Sequence, residues 1–176
     1  DKGEIVDVAI DSATEEEVES TIKVMGGEDW YQWMAALNDA GVLSADCKTI
    51  AYTYIGEQLT QPIYGEATIG FAKKDLDETA VKIEGLLSRN RQESHQTSSG
   101  IDGKRAYIGV LKAIVTQSSA AIPVMPLYIS LLYKVMKEKG VHEGCIEQVT
   151  RMLSTGVYGL ACKKDAQGRL RVDEHE

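Results

Sequence analysis

Residues 48–74, KTIAYTYIGEQLTQPIYGEATIGFAKK, contain the change of pattern that decides the fold class. Residues 48–55 are rich in β-branched and aromatic side chains, which are typical of a β-strand. A loop with Pro62 and two glycines follows. Apolar residues at helical spacing then predict a long helix over residues 68–87. A strand followed by a loop and a long helix indicates an α/β protein.

The sequence before this unit predicts a short strand and two helices. Residues 4–10 alternate between polar and apolar side chains, as a short strand does. Thr14 and Glu17 form a capping-box signature for a helix that ends near Met25. A second helix is predicted over residues 29–40, with an apolar face made of Trp30, Trp33, Met34 and Leu37.

The sequence after this unit predicts a loop, a second strand and two more helices. Residues 88–104 are polar and predict an exposed loop. Residues 105–116, RAYIGVLKAIVT, predict an apolar strand in the middle of a parallel sheet. Helices are predicted over residues 127–139 and 143–153, and the charged tail from Lys163 is predicted to be irregular. With two or three strands, the chain is expected to form half of a doubly wound parallel sheet.

The composition is that of one soluble globular domain. The chain has 176 residues, of which 43% are hydrophobic and 26% are charged, and this balance excludes disorder throughout. The net charge of -8 argues against a nucleic-acid partner held by phosphate contacts. Because the first residue is Asp1 rather than methionine, we expect the chain to be a piece of a longer protein.

The cysteines and the longest uncharged run favour a reducing compartment and no membrane span. Cys47, Cys145 and Cys162 are widely spaced and odd in number, which fits the free thiols of a cytoplasmic protein. Residues 113–133 carry no charge, but two prolines and several polar side chains interrupt the run. The run therefore predicts buried elements joined by a turn rather than a membrane span.

The common nucleotide, metal and hydrolase motifs do not occur in the sequence. No GxGxxG follows a strand, and there is no Walker A, HExxH or GxSxG motif. His142 and Cys145 lie three residues apart and could share a metal ion. Two ligands alone are weak evidence, and a surface histidine near a half-buried cysteine explains them better. No metal site is predicted.

Tyr64 and Lys73 are the pair with recognisable chemistry. On one continuous helix, the nine steps between them would place them on opposite sides and about 13.5 Å apart. If the helix begins near Thr68 as its capping residue, Tyr64 lies in the entry loop and Lys73 can approach it. An ammonium beside a phenol lowers the phenol pKa from about 10, which makes tyrosine a usable proton donor. The spacing alone leaves open a packed tyrosine and a surface lysine.

Three long segments resemble one enzyme family. They are VMGGEDWYQWMAALNDAGVL (24–43), YTYIGEQLTQPIYGEATIGFAKKDLD (52–77) and LKAIVTQSSAAIPVMPLYISLLYKVMKEKGVHEGCIEQ (111–148). With a GRLRVDE motif near the end, they are similar to the FabV-type trans-2-enoyl-CoA and enoyl-acyl-carrier-protein reductases, relatives of the short-chain dehydrogenases with a Tyr-x8-Lys signature. The resemblance implies that residues 1–176 are a single catalytic and substrate-binding portion of a longer Rossmann-like reductase. It places the amino-terminal dinucleotide-binding half outside this chain.

The resemblance also implies roles for individual residues. Tyr64 takes the place of the catalytic tyrosine. Lys73 takes the place of the lysine that binds the cofactor ribose and polarises the tyrosine. Tyr54 matches a substrate-contacting tyrosine. The family segment that contacts the nicotinamide end of the cofactor corresponds to Ile114, Val115 and Thr116.

The implied reaction is the reduction of the trans-2 double bond of an enoyl thioester in fatty acid synthesis, with coenzyme A or acyl carrier protein as the thioester carrier. NADH is the usual cofactor of the family and NADPH the less frequent one. Residues 120–136 would line the acyl-chain pocket. The implied location is the cytoplasm, or an organelle if the longer protein carries a transit peptide. Ala67 departs from the usual family glycine and would cost about 1 kcal/mol if its φ were positive.

A function of another class remains open. The chain could be a truncated or degenerate copy that binds an acyl thioester or a partner without catalysis. The lack of a glycine-rich loop favours this alternative for the isolated chain, whereas Tyr64, Lys73 and Thr116 favour an enzyme for the longer protein. A glycine-rich βαβ segment upstream of Asp1 would decide between the two.

Overall fold

The computed structural model describes most of the chain, with gaps. The described residues are 7, 9–44, 46–56, 58, 60–94, 105–117, 122, 124–159 and 163–173, and side chains are described for all of these except 90–94. His95, His175, Cys162 and most of the strand predicted over residues 4–10 lie outside this range. Residues 9 and 10 form no strand.

Two helices open the described chain, as predicted. Helix α1 spans Glu15–Met25. Its capping box is confirmed, because the Thr14 N–H donates to the Glu17 carboxylate at 2.8 Å and the Glu17 N–H donates to the Thr14 hydroxyl at 3.3 Å. Helix α2 spans Glu28–Asp39 and buries Met34.

A parallel strand pair joined by a long helix forms the centre of the fold. Strand β1 spans Thr49–Thr53, helix α3 spans Thr68–Ser94 and strand β2 spans Ala106–Val110. β1 and β2 are parallel and in register over all five of their residue pairs, which confirms the predicted α/β class. Residues 88–94 continue α3 instead of beginning the predicted loop, because this stretch holds neither glycine nor proline.

The apolar side of α2 rests on α3. Met34 joins a buried cluster with Ile83 and Leu87 of α3. Trp30 packs against the same cluster and donates its indole N–H to the Thr49 hydroxyl at 2.8 Å. Trp33, which was predicted on the same apolar face, is 69% exposed instead. The contact with α3 therefore runs along the side of α2 that carries Trp30 and Met34.

The prediction of an irregular charged tail is wrong, because the tail adds two strands to the sheet. Strand β3 spans Lys163–Lys164 and strand β4 spans Leu170–Arg171. β4 pairs parallel with β2 and antiparallel with β3, which gives the sheet order β1-β2-β4-β3. Asp165 closes the turn between them by accepting the N–H groups of Gln167 and Arg169 at 3.0 and 2.9 Å. Four short strands are thus described where two or three were expected.

Both faces of the sheet are covered, as the doubly wound prediction requires. On one face, Ile108 of β2 packs with Leu76 and Ala80 of α3. On the other face, Tyr107 packs with Met152 of the helical segment that follows β2. Successive β2 residues therefore enter different cores, which explains why this strand is apolar throughout.

Helices α4 and α5 follow β2. α4 spans Met125–Glu138, and α5 spans Cys145–Arg151 and continues into a π-helical segment, Met152–Val157. Within the uncharged run, the described residues 113–117, 122 and 124 lie outside helices and strands, and residues 125–133 belong to α4. Across the part of the chain that the structure describes, none of the helices has the length and hydropathy that crossing a membrane requires.

The buried Gln148 of α5 determines where β2 ends. Its carbonyl accepts the Lys112 N–H at 3.1 Å and its amide donates to the Val172 carbonyl at 2.9 Å. The Lys112 N–H is thereby directed away from a neighbouring strand. This accounts for a strand that ends at Val110, whereas the sequence predicted a strand through residue 116.

Candidate active site

A cavity of about 320 Å³ lies at the carboxyl ends of β1 and β2. Thr53 and Val110 end the two strands side by side, and this edge of a parallel sheet is where ligands bind in open α/β folds. The cavity is lined by Tyr52, Thr53, Tyr54, Tyr64, Lys73, Leu111, Lys112, Ala113, Ile114, Ile122, Met125 and Ile129. Three separate predictions from the sequence therefore meet here, namely the strand end, the tyrosine loop and the start of the long helix.

Tyr64 lies in the loop before α3, as predicted. A single turn of 3-10 helix, Gln61–Ile63, precedes it, and its N–H donates to the Thr60 carbonyl at 2.9 Å. Its ring meets the Tyr54 ring edge to face, with 5.2 Å between centroids. Tyr64 is only 8% exposed, so packing fixes the orientation of its ring.

Lys73 belongs to the same site because α3 begins at Thr68. Thr68 is the first helical residue rather than the capping residue that the sequence predicted. Lys73 lies one turn before Leu76, on the side of α3 that faces the sheet. It lines the cavity described above and an adjoining one of about 290 Å³, and Tyr64 also lines both. The helix boundary thus brings together two side chains that a continuous helix would have separated.

The acidity of Tyr64 differs from the prediction. We expected the Lys73 ammonium to lower the pKa of the Tyr64 phenol. Burial instead raises the pKa of Tyr64 to about 12, because an apolar surrounding disfavours the phenolate. Tyr64 is therefore a hydrogen-bond donor throughout the neutral range.

The charge of Lys73 is subject to two opposing influences. Burial lowers the pKa of Lys73, while the carboxylate of Asp77, one turn further along α3, raises it. Asp77 is in turn held by Arg169, whose guanidinium lies 3.3 Å from it and 2.6 Å from Asp165. The turn between β3 and β4 therefore anchors the acidic neighbour of Lys73.

The remaining predicted site residues divide into two groups. Tyr54 and Ile114 line the cavity with Tyr64 and Lys73. Val115 and Thr116 follow Ile114 along an exposed loop and are not among the residues that line this cavity. The loop thus reaches the cavity through Ile114 and continues towards solvent.

Lys112 is a cavity residue that sequence reasoning missed. It is only 6% exposed, its ammonium donates to the Glu143 carbonyl, and the ammonium lies 4.9 Å from the centre of the Tyr133 ring. The Tyr133 hydroxyl donates to the Ala113 carbonyl. These contacts fix the loop after β2. The sequence did carry one indication of this role, because Lys112 interrupts the otherwise apolar run over residues 106–115.

The backbone near the site is strained at Val124 but not at Ala67. Within the described segments, Val124 is the non-glycine residue with a positive φ, at 69°. Ala67 therefore carries none of the strain that its replacement of a family glycine suggested. Val124 directly precedes α4 and adjoins the cavity residue Met125, so backbone strain is located at the cavity rim.

The His142 and Cys145 pair shows no metal-binding geometry. The His142 ring packs edge to face against Tyr133 at 5.0 Å, and the Cys145 thiol is free and exposed. Among the residues whose positions the structure gives, no group of three or more histidine, cysteine, aspartate or glutamate side chains could hold a metal ion.

Comparison with known proteins identifies one family. Residues 1–158 match the family described as the trans-2-enoyl-CoA reductase catalytic region. The chain is 52% identical over its whole length to an enoyl-acyl-carrier-protein reductase (NADH) of Idiomarina loihiensis, of which it covers 42%. It is 51% identical to the enoyl-acyl-carrier-protein reductase (NADH) FabV of Aeromonas salmonicida, over 99% of the chain and 41% of that protein.

Solved structures agree with the sequence comparison. The trans-2-enoyl-CoA reductase of Clostridium acetobutulicum in complex with NADH superposes with a TM-score of 0.80 at 47% identity, over 94% of this chain and 39% of that one. The Treponema denticola trans-2-enoyl-CoA reductase in complex with NAD gives a TM-score of 0.74 at 44% identity, over 92% and 38%. The chain thus spans about two fifths of the length of the relatives it matches. It belongs to the trans-2-enoyl-CoA reductase family.

Proposed function

We propose that this chain is the catalytic and substrate-binding portion of an enzyme that uses NADH to reduce the trans-2 double bond of enoyl thioesters in fatty acid synthesis. The observation that carries the proposal is that Tyr54, Tyr64 and Lys73 line the same cavity at the ends of β1 and β2. The thioester carrier is coenzyme A or acyl carrier protein, and the compartment is the cytoplasm. The proposed activity is that of a longer protein, since this chain covers only 42% of the length of the Idiomarina loihiensis relative.

The residues around the cavity fit a nicotinamide nucleotide. Lys73 and Lys74 line the adjoining cavity beside the Arg169–Asp77 ion pair, and the two ammonium groups would attract an anionic nucleotide. Lys73 would bind the ribose, and the loop from Ile114 to Thr116 would contact the nicotinamide end. The chemistry that NADH supplies when bound is a hydride for the β carbon of the acyl chain.

Tyr64 is proposed to stabilise the charge that develops on the thioester oxygen. Hydride addition to the β carbon moves negative charge onto this oxygen and leaves an enolate, which is then protonated at the α carbon. Tyr64 can donate to the oxygen throughout the reaction because burial raises its pKa to about 12. A fixed donor at this position is worth several kcal/mol in the transition state. Tyr54 holds the Tyr64 ring in place and contacts the substrate.

The acyl chain is proposed to lie against α4. Met125 and Ile129 line the cavity from this helix, together with Ile122 just before it. They belong to the same buried cluster as Tyr64, so an acyl chain placed against them has its thioester near the tyrosine. This arrangement supports the α4 part of the predicted pocket over residues 120–136.

The proposed activity is tested with the full-length protein and crotonyl-CoA. We expect a loss of nicotinamide absorbance that depends on the thioester and follows saturation kinetics. Enoyl thioesters of longer chain and the corresponding carrier-protein thioester are assayed in parallel. A folded full-length protein that oxidises NADH with none of them would refute the enzyme and favour the non-catalytic binding module.

Gly70 provides a test of how the Tyr64 loop is positioned. A Cβ at Gly70, in the first turn of α3, would overlap the carbonyl oxygen of Gly65, the residue after Tyr64. We expect Gly70→Ala to displace this loop and to lower kcat by about 100-fold, since a shift of about 1 Å can have this effect. Turnover and melting temperature of the full-length variant are measured together.

Gly85 is the matched control on the same helix. Apart from its chain neighbours and the backbone of α3 itself, no atom lies within 4 Å of a Cβ placed there. Gly85→Ala is therefore expected to stabilise the protein by about 0.5–1 kcal/mol and to leave kcat unchanged. A Gly70→Ala variant with wild-type turnover would show that the close approach to Gly65 does not position Tyr64.

A further inference from the structure

Thr53 has a buried hydroxyl that no element of the described fold satisfies. Thr53 is the last residue of β1, is 7% exposed, and lines the cavity that holds Tyr64 and Lys73. Within the described residues, its hydroxyl oxygen has no hydrogen-bond partner. A buried hydroxyl without a partner costs free energy in the ligand-free protein, so its presence in a binding cavity indicates a partner supplied by the ligand.

The direction of β1 places Thr53 on the α3 side of the cavity. Successive strand residues point to opposite faces, and Ala51, two residues before Thr53, packs against the cluster of Leu76 and Ala80 on α3. Lys73 lies one turn before Leu76 on the same helix. Thr53 and Lys73 therefore form a polar side of the cavity between the sheet and α3.

The opposite side of the cavity is aromatic and apolar. Tyr54, which follows Thr53, packs into the cluster formed by Tyr64, Met125 and Ile129. An acyl thioester suits this side, since it offers an apolar chain and one oxygen that only accepts hydrogen bonds. A ribose suits the other side, because its hydroxyls both donate and accept, as the Thr53 hydroxyl does.

We propose that the Thr53 hydroxyl binds a ribose hydroxyl of the nicotinamide nucleotide, beside Lys73. This assignment rests on the proposed function and adds a binding residue to it. Thr53 contributes to cofactor affinity, whereas the acyl thioester is held by the aromatic side of the cavity.

The test compares two threonines of β1 in the full-length protein without substrate. Thr53→Val keeps the shape of the side chain and removes the hydroxyl. Thr49→Val is the matched control, because it removes a hydroxyl that already accepts the Trp30 indole N–H. The dissociation constant for NADH is measured by fluorescence titration, and the melting temperature is measured without NADH. Thr53→Ser retains the hydroxyl, and Thr53→Ala removes it in a smaller side chain.

The substitutions at the two positions are expected to change different quantities, NADH affinity at Thr53 and thermal stability at Thr49. Thr53→Val should raise the NADH dissociation constant roughly fivefold to tenfold, the effect of one neutral hydrogen bond, and leave the melting temperature unchanged or higher. Thr49→Val should lower the melting temperature and leave NADH binding unchanged. Thr53→Ala should weaken NADH binding as Thr53→Val does, and Thr53→Ser should bind within about twofold of wild type.

Two results would overturn the assignment in distinguishable ways. If Thr53→Val and Thr53→Ala bind NADH as tightly as the wild type does, the assignment of Thr53 is wrong and the proposed function stands. The same conclusion holds if these variants raise only the KM for the thioester. If the folded wild-type protein binds no NADH, the proposed function fails and the Thr53 assignment fails with it.

Discussion

Replacing Tyr64 with phenylalanine in the full-length protein is expected to lower kcat about 100- to 1000-fold, the typical effect of losing one oxyanion donor. The phenylalanine ring would keep the edge-to-face contact that Tyr64 makes with Tyr54 at 5.2 Å. In the proposed role the hydroxyl acts on charge that exists mainly in the transition state, so we expect the loss to fall on kcat rather than on NADH affinity. Kinetic constants and the melting temperature are measured on the same preparation.

The matched control for this substitution is Tyr31→Phe. Tyr31 lies on α2, outside the cavity, and is 38% exposed, so its variant should retain wild-type kinetics. A Tyr64→Phe protein with unchanged kcat would exclude Tyr64 from the chemistry. A loss of turnover that follows a loss of thermal stability would instead indicate a structural role.

The second large effect is expected for Lys73→Ala, which should raise the KM for NADH and lower kcat, each by at least about tenfold. The variant removes the proposed ribose contact and a positive charge that lines the cavity, and a hydrogen bond to a charged group is worth about 1.5–3 kcal/mol. Lys82→Ala, on an exposed position of α3, is the control and should change neither constant. Wild-type NADH affinity in Lys73→Ala would contradict the assigned contact.

The pH profile separates Lys73 from Tyr64. Burial lowers the pKa of Lys73 below its ordinary 10.5, although Asp77 opposes the effect, and burial raises the pKa of Tyr64 to about 12. As the pH rises, the lysine therefore loses its proton before the tyrosine does. We expect kcat/KM to fall at alkaline pH through this lowered pKa, and the same limb to be absent from Lys73→Ala.

The parallel βαβ unit was predictable because local signals agreed there. The β-branched run over residues 48–55 and the helical stripe from residue 68 each specify one element, and a parallel pair follows from the helix between two strands. The position of Tyr64 in a loop followed from the same boundary. The spacing allowed Tyr64 and Lys73 to approach each other but left open a packed tyrosine and a surface lysine. Only the resemblance to the enoyl reductases implied that Tyr54 and Ile114 belong to the same site.

The end of the sheet was not predictable for a physical reason. Strand β4 consists only of Leu170–Arg171. Leu170 and Val172 alternate with charged residues in a charged segment, and two buried positions are too few to indicate a strand. Strand β2, with which β4 pairs, is distant in sequence. A strand of two residues is stabilised by the sheet it joins rather than by its own propensity.

The electrostatics of the site were also beyond sequence reasoning. The raised pKa of Tyr64 results from burial by residues distant in sequence, including Met125 and Ile129 of α4. Spacing shows which groups can meet but carries no information about how deeply they are buried. The same limit applies to Thr53, whose buried hydroxyl becomes apparent only when the cavity around it is known.

The most direct test of the account follows the hydrogen atoms during turnover. In the proposed reaction, hydride reaches the β carbon while Tyr64 stabilises charge on the thioester oxygen. Full-length wild type and Tyr64→Phe are given crotonyl-CoA with NADH deuterated at the transferring position, and the product is examined by mass spectrometry and NMR. We expect one deuterium at the β carbon and a solvent hydrogen at the α carbon in both proteins, with product forming about 100- to 1000-fold more slowly in the variant. Deuterium at the α carbon, NADH consumption without a labelled acyl product, or equal rates in the two proteins would contradict the proposed reaction.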